Sequence, residues 1–360
     1  QRQMCIRDRG YRTATHEIEI SANSSQEVNF TLTEDAIALD EVVLTANRSQ
    51  TLRREAPALV NVLDSKLFDQ TNAMCMAQGL NFQPGVRTEN NCQNCGFSQV
   101  RINGLDGHYS QILIDSRPIF TSLNGIYGLE QIPSNMIDRI EVVRGGGSAL
   151  YGASAIGGTI NVITKEPVRN SAEVSHTTTS IEGKGGMENN TTANVSVVSE
   201  DGKTGLYVYG QHHYRPGFDH DGDGYTELPN LRNQTLGLSA FYKFTPYSKL
   251  SLQYHNISEF RRGGNNLDLP PHEANITEQL DHDINGGNLA YDLSSNDYKN
   301  RLKAYFSFSN TTRKSYYGGI GEGSFADRIA AQKAYGRTTD FTTVTGLQYL
   351  HQLSLIHISE

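Results

Sequence analysis

The sequence predicts three parts in order: a short remnant of β-structure, a compact mixed α/β unit, and a run of long antiparallel strands. Three observations carry that expectation. Between residues 57 and 167, short helix and strand patterns alternate, separated by glycine-rich turns. Beyond Pro167, helix signals vanish and segments of about ten residues with strict polar/apolar alternation recur. No stretch holds the roughly 18 apolar residues that a membrane-crossing helix needs. The chain has 360 residues, 37% of them hydrophobic, with 34 Gly, 18 Tyr, no Trp and a net charge of −8. That acidic balance argues against a nucleic-acid partner, which would want a clustered basic face.

The first residues, 1–9, carry charges without an apolar core and read as a non-native leader, and 353–360 as a non-native tail. His16–Ile20 and Glu27–Leu32 alternate and read as strands of a small β-sandwich covering 10–35, followed by an extended apolar run at Val42–Leu44. Within 53–167, a helix is expected to start near Asp64, with Leu63, Leu67 and Met74 on one face, and to end at Pro84-Gly85. Strands follow at Gln99–Gly104 and Tyr109–Ile119, joined as a hairpin, then a short helix at Ile132–Asp138 and a strand at Arg139–Val143. Ser148 is placed to cap a one-turn helix, and Thr159–Thr164 closes the unit as a strand.

From 168 to 352, strands are expected at 171–181, 190–199, 204–214, 234–244, 248–258 and 300–312. In the fifth, Leu250, Leu252 and Tyr254 share one face while Ser251, Gln253 and His255 share the other. In the sixth, Leu302, Ala304, Phe306 and Phe308 form the apolar face. Short turns at Pro246–Ser248 and Ser294–Asn296 alternate with long polar loops at Arg215–Leu231 and Glu259–Asp283, the rim asymmetry of an outer-membrane barrel. A soluble β-sandwich alternates similarly, so periodicity alone leaves both open. Tyr207, Tyr214, Tyr242 and Tyr247 fit an aromatic girdle.

Enzyme chemistry is not supported. His272-Glu273 lacks a second histidine at the zincin position, and Ser148 in GGSAL lacks a nucleophile elbow. The GGGS run has no following Lys-Ser/Thr, so it is no phosphate loop. Cys92 and Cys95 form a CxxC in an Asn/Gly-rich loop without the further ligands of a zinc site; a disulfide is the preferred reading, with two reduced thiols the alternative. Asp219, Asp221 and Asp223 alternate before Gly224, the spacing that wraps oxygens around calcium, although no helices flank them and Asn230 stands at the twelfth position. A structural Ca2+ is thus a candidate, with a solvated acidic turn as the alternative; no cofactor is otherwise required. His108, His212 and His213 are available to a haem ligand, and surface or lumen positions explain them equally.

The run from Ile137 to Lys165, IDRIEVVRGGGSALYGASAIGGTINVITK, preceded by QVRINGLDGHYSQILIDSRPI from Gln99 to Ile119, resembles the plug domain of TonB-dependent outer-membrane receptors. The residues that carry the likeness are Arg101, Gly104, Asp115, Arg139, Glu141, Arg144, Gly145, Gly147, Ser148, Tyr151, Gly152, Gly157, Gly158 and Asn161. Ile140 and Val142 suit the plug core, and Arg139, Glu141 and Arg144 a polar barrel wall. Leu39, Asp40, Glu41, Val42, Val43, Leu44, Thr45 and Ala46 resemble the TonB box of Bacteroidetes-type receptors. The strands before them resemble the end of a carboxypeptidase-regulatory-like domain.

The resemblance implies a plug at 53–167 inside a partial antiparallel transmembrane barrel, with about eight strands at roughly 20 to 25 residues each. Such a sheet is expected not to close, leaving open edges. It implies a Gram-negative outer-membrane location, with the plug and N-terminus towards the periplasm, and a monomeric barrel when complete. The implied function is import of a scarce bulky nutrient, a ferric siderophore, haem or cobalamin, driven by the TonB–ExbB–ExbD complex; no catalysis is involved. A box recruited by strand addition wants an extended segment with unpaired backbone. Cys92, Cys95, Phe97, Gln99, Ser122 and Tyr127 are expected at the ligand-facing plug apex. The alternatives are the channel of a glycan-uptake pair and a signal-transducing receptor.

Overall fold

The computed structural model describes residues 2–6, 14–18, 42–46, 51–53, 56–92, 94, 96–118, 129–183, 186–321 and 323–351. The N-terminal unit, up to Val60, holds two small antiparallel pairs. β1 (Arg2–Ile6) pairs with β2 (Ala14–Ile18), Met4 opposite His16, so a segment read as a foreign leader supplies the partner of the first predicted strand. β3 (Val42–Val43) pairs with β4 (Thr51–Leu52). The expected strand at 27–32, and Leu39, Asp40 and Glu41, lie outside the described residues.

In the mixed unit, β5 (Val60–Asp64) leads into α1 (Ser65–Thr71), where the Asp64 carboxylate accepts from the Leu67 amide at 3.0 Å. The single helix expected from Asp64 is two. Asn72, in the left-handed region at φ 52°, ends α1; Cys75 then runs extended as a bridge to Pro133, and α2 (Met76–Leu80) restarts beyond it. Apolar spacing continues across the break, which is why periodicity did not show it.

β6 (Val86–Cys92) and β7 (Phe97–Ile102) form their own hairpin. β8 (Ser110–Ile114) therefore does not pair with β7 as expected. It lies parallel beside β10 (Gly158–Thr164), which is antiparallel to β9 (Ile137–Arg144), giving the order β5-β9-β10-β8. Ile112, Leu113 and Ile114 are all buried, the continuous apolar run of a strand covered on both faces. The helix expected at 132–138 is a single 3-10 turn, Ser134–Met136. α3 (Ser148–Tyr151) is capped by Gly147, so Ser148 is its first residue and not its cap. Gly158 faces a close approach: a Cβ there would stand 2.5 Å from the Val143 carbonyl oxygen and 2.9 Å from Ile102 Cδ1. Gly158→Ala is expected to cost about 1–3 kcal/mol through overpacking, read as a lowered urea midpoint.

Eight strands follow in one sheet whose order is chain order, every neighbour antiparallel. They are β11 (Ser171–Ile181), β12 (Gly186–Val198), β13 (Thr204–Arg215), β14 (Asn230–Thr245), β15 (Ser248–Gly264), β16 (Thr277–Ser294), β17 (Asn300–Gly318) and β18 (Tyr335–His351). No pairing joins β11 to β18, so among the described residues the sheet is open. β16 and β18 escaped the sequence because Asp, Asn, Thr and Gly occupy much of both faces. The second long loop is shorter than expected, since β15 runs to Gly264 and β16 begins at Thr277. A last helix, α4 (Phe325–Lys333), sits in the loop before β18 behind a Ser324/Asp327 capping box.

The burial pattern of this sheet is inverted relative to a soluble sandwich. Leu206, Leu236, Leu252, Leu289, Phe306 and Leu347 are exposed, whereas Asn190, Gln211, Asn233, His255, Asn288 and Ser307 are buried. Alternation puts the first set on one face and the second on the other. Tyr214 and Tyr242 are exposed on the apolar face, as the girdle reading expects, but Tyr207 is 4% exposed and belongs to the opposite, enclosed face.

Candidate functional site

Three polar junctions stand out where the enclosed face of the sheet meets the mixed unit. At the first, β13 presents Tyr207, Tyr209 and Gln211 at alternate positions. The Tyr207 hydroxyl donates to the Asn135 carbonyl at 2.7 Å, the Tyr209 hydroxyl to Met136 Sδ at 3.1 Å, and Gln211 Nε2 to the Met74 carbonyl at 3.1 Å.

At the second, Asp115 and Ser116 form a tight turn with φ 47° and 67°. Asp115 accepts from the Thr164 amide at 3.1 Å and hydroxyl at 2.8 Å, while Asn161 Oδ1 accepts from the Ser116 amide at 2.8 Å. Gln253 Nε2 of β15 then donates to Asp115 Oδ2 at 2.7 Å, and Asn288 and Ser307 extend the chain of bonds across β16 and β17.

The third is ionic. Arg261, 1% exposed, has Nε 2.9 Å from Glu259 Oε1 on its own strand and Nη2 2.6 Å from Glu130 Oε2 of the mixed unit. Its Nη1 donates to the Gly96 carbonyl at 2.8 Å. Gln131 Nε2 donates to Glu259 Oε1 at 3.0 Å, the Ser98 hydroxyl to Glu130 Oε1 at 2.7 Å, and His282 Nδ1 lies 3.4 Å from Glu259 Oε1. One guanidinium thus joins the tip of the β6–β7 hairpin, the Glu130 segment and the sheet. Reading 259–283 as a loop hid this cluster, although Glu259 and Arg261 continue the parity of Gln253 and His255.

The other predicted residues fall as follows. Arg101 pairs with Glu89, and Arg139 Nε lies 3.0 Å from Glu141, which is fully buried; that charge is answered from its own strand, and Arg144 is exposed. Gly104, Gly145 and Gly152 take φ of 79°, 100° and 94°, where glycine is favoured. Tyr151 and Gln99 are buried. Cys92 Sγ lies 3.1 Å from Glu278 Oε2 on β16, which places this part of the hairpin tip against the sheet. Cys95, Ser122, Tyr127 and the Phe97 side chain lie outside the described residues, and with them the Cys92–Cys95 pairing. Burial pushes the Cys75 thiol up to about 12, so it stays protonated at neutral pH.

The histidines do not assemble. His213 is enclosed, 2.7 Å from Glu188, its neighbour His212 points to the opposite face, and His108 is exposed beside Asp106. In the acidic loop, Asp219, Asp221 and Glu227 bring carboxylate oxygens within 4.8 Å of one another. Asp223 is not in that group: its Oδ1 accepts from the Tyr225 amide at 2.8 Å, and Glu227 takes its place.

Residues 53–159 match the family described as the TonB-dependent Receptor Plug Domain. The chain is 34% identical over 125 residues to the vitamin B12 transporter BtuB of Vibrio vulnificus, covering 35% of this chain and 20% of that protein. It therefore spans about a fifth of the length of the curated relatives it matches. Among solved structures, a variant of the ferric enterobactin receptor of Pseudomonas aeruginosa superposes with a TM-score of 0.61 at 18% identity, over 82% of this chain and 46% of that one. The siderophore receptor PirA of Acinetobacter baumannii gives 0.58 at 19% identity, over 80% and 44%. Residues 53–159 are thus matched as a TonB-dependent receptor plug, seated through polar contacts on the enclosed face of an open antiparallel sheet, and the fold is that of the outer-membrane receptors on which the chain superposes.

Proposed function

We propose that this chain is part of a receptor that imports a scarce, bulky nutrient across the outer membrane, a ferric siderophore or a cobalamin before haem. The observation that carries the reading is the plug's attachment to the sheet by hydrogen bonds and ions, beside the packed rings of Tyr207 and Tyr209, a contact that can be broken and remade. The names of the relatives, a vitamin B12 transporter and siderophore receptors, favour these ligands over a glycan. The scattered histidines give haem no support. No covalent step enters the proposal.

Energy enters at residues 39–46, read as the TonB box. Val42–Val43 is already paired with Thr51–Leu52, and Val43, Thr45 and Ala46 are buried, so the box is not the free extended strand that recruitment by strand addition wants. Coupling then requires β3 to leave β4. Deleting Leu39–Ala46 from the complete gene is expected to abolish growth on limiting iron or cobalamin while ligand binding to cells persists. Unchanged uptake overturns the assignment; growth lost only on a polysaccharide supports the glycan alternative.

The acidic loop is proposed to bind calcium through Asp219, Asp221 and Glu227. Calcium titration is expected to raise amide protection at 217–228, and Glu227→Gln to weaken the effect more than Asp223→Asn does. Equal effects, or none, overturn the assignment.

A further inference from the structure

The second junction is more than a contact between two residues. Gln253, Asn288 and Ser307 are direct partners in register across β15, β16 and β17, so their side chains stand in one line on the enclosed face. Ser307 Oγ donates to Asn288 Oδ1 at 3.2 Å, Asn288 Nδ2 to Gln253 Oε1 at 3.1 Å, and Gln253 Nε2 to Asp115 Oδ2 at 2.7 Å. Every donor in the line points towards the plug. The line stops at β17, because Val344 faces Ser307 from β18 and has no polar group.

Nothing in these three side chains chooses that direction. An asparagine or glutamine amide carries donors at one end and an acceptor at the other, and a hydroxyl does both, so the same line can bond in reverse. In reverse, Gln253 Oε1 would accept from the Thr164 hydroxyl, which lies 2.7 Å from Gln253 Nε2. Asp115 removes the choice. A carboxylate only accepts, and this one takes the Thr164 hydroxyl at 2.8 Å as well as Gln253, so both groups are committed as donors. The Thr164 amide, 3.1 Å from Oδ1, holds the carboxylate in place. Asn288 and Ser307 are buried, where an unsatisfied polar group is costly, so the choice made at Asp115 passes from link to link.

We propose that Asp115 is a positioning residue that sets the hydrogen-bonding direction of the wall as far as β17, beyond the one wall side chain it touches in this line. When the turn at Asp115 and Ser116 leaves the wall, the line loses its acceptor-only member. Its amides then turn freely and offer donors and acceptors to a polar cargo moving along β15 to β17. The proposal rests on the plug being the moving part of an importer. Its test needs neither cargo nor transport, so the two readings fail separately.

The test follows proton exchange at isotope-labelled asparagine and glutamine side-chain amides of the folded chain in detergent micelles. In the unsubstituted chain, the Asn288 amide is expected to exchange at least about tenfold more slowly than that of the exposed Asn296. Asp115→Asn keeps the shape and restores the choice of direction. It is expected to speed exchange at Asn288 as well as at Gln253, although Gln253 stands between Asn288 and residue 115.

A double-mutant cycle in urea reads the same link. Asp115→Asn and Ser307→Ala are expected to couple by about fivefold in the unfolding constant. Asp115→Asn and Ser309→Ala, which removes a buried hydroxyl of the same strand outside the line, are expected to be additive. Fast exchange at Asn288 in the unsubstituted chain overturns the proposal whether or not the variants fold. So does an effect of Asp115→Asn confined to Gln253, additivity of the first pair, or equal coupling of both pairs.

Discussion

Arg261→Met is expected to destabilise the folded chain by about 3–5 kcal/mol, because it leaves Glu259 and Glu130 facing each other without the buried cation that answers both. Urea unfolding in detergent micelles reads the loss. The second arm of a double-mutant cycle decides its origin. Arg261→Met combined with Glu259→Gln removes one of the stranded charges and is expected to recover a large part of the stability, whereas Glu259→Gln alone costs less than Arg261→Met. Loss of less than about 1 kcal/mol for Arg261→Met would place the cluster among ornamental ion pairs. Because Nη1 also holds the Gly96 carbonyl, proteolysis in the β6–β7 hairpin is expected to accelerate in the same variant.

Leu252→Arg separates a membrane wall from a soluble sheet. Leu252 is 47% exposed on the outward face, so in water an arginine there is close to neutral. In a bilayer the same change is expected to cost about 2–4 kcal/mol, as an arginine near the midplane of a barrel does. Folding equilibria measured in lipid vesicles and in mild detergent are expected to show the penalty chiefly in the vesicles. The neighbouring enclosed residue Gln253 provides the contrast. Gln253→Leu removes its bonds to Asp115 and Asn288 and should weaken the plug contact in both media. Equal tolerance of Leu252→Arg in vesicles and detergent would remove the lipid-facing reading.

Most of the sheet was legible because side-chain alternation is a local property: six of the eight strands from Ser171 onward declare their two faces without reference to their neighbours. Its failures are instructive in the same terms. In β16, the run Asp281-His282-Asp283 is polar on both faces, since its outward carboxylates line a charged cleft with Lys314 and Arg337 and inside it meets Glu259. Two-sided polarity reads as a loop. The split between α1 and α2 escaped for the opposite reason, because the apolar spacing survives a break made by one residue, Asn72, turning left-handed.

The sequence by itself determined the plug, its Gly-rich turns and most of the alternating strands, since these depend on residue type at short range and on a pattern long enough to be specific. It also determined which residues could be apolar partners. Only the tertiary structure decided which face was inside. Alternation names two faces and is silent on which one another domain covers; the plug covers the polar one, so Tyr207 turned from girdle candidate to plug contact. The same holds for pairing. β8 chose β10 over β7, and Arg261 found Glu130, because partners far apart in the chain are selected by packing and charge compensation that no local window contains.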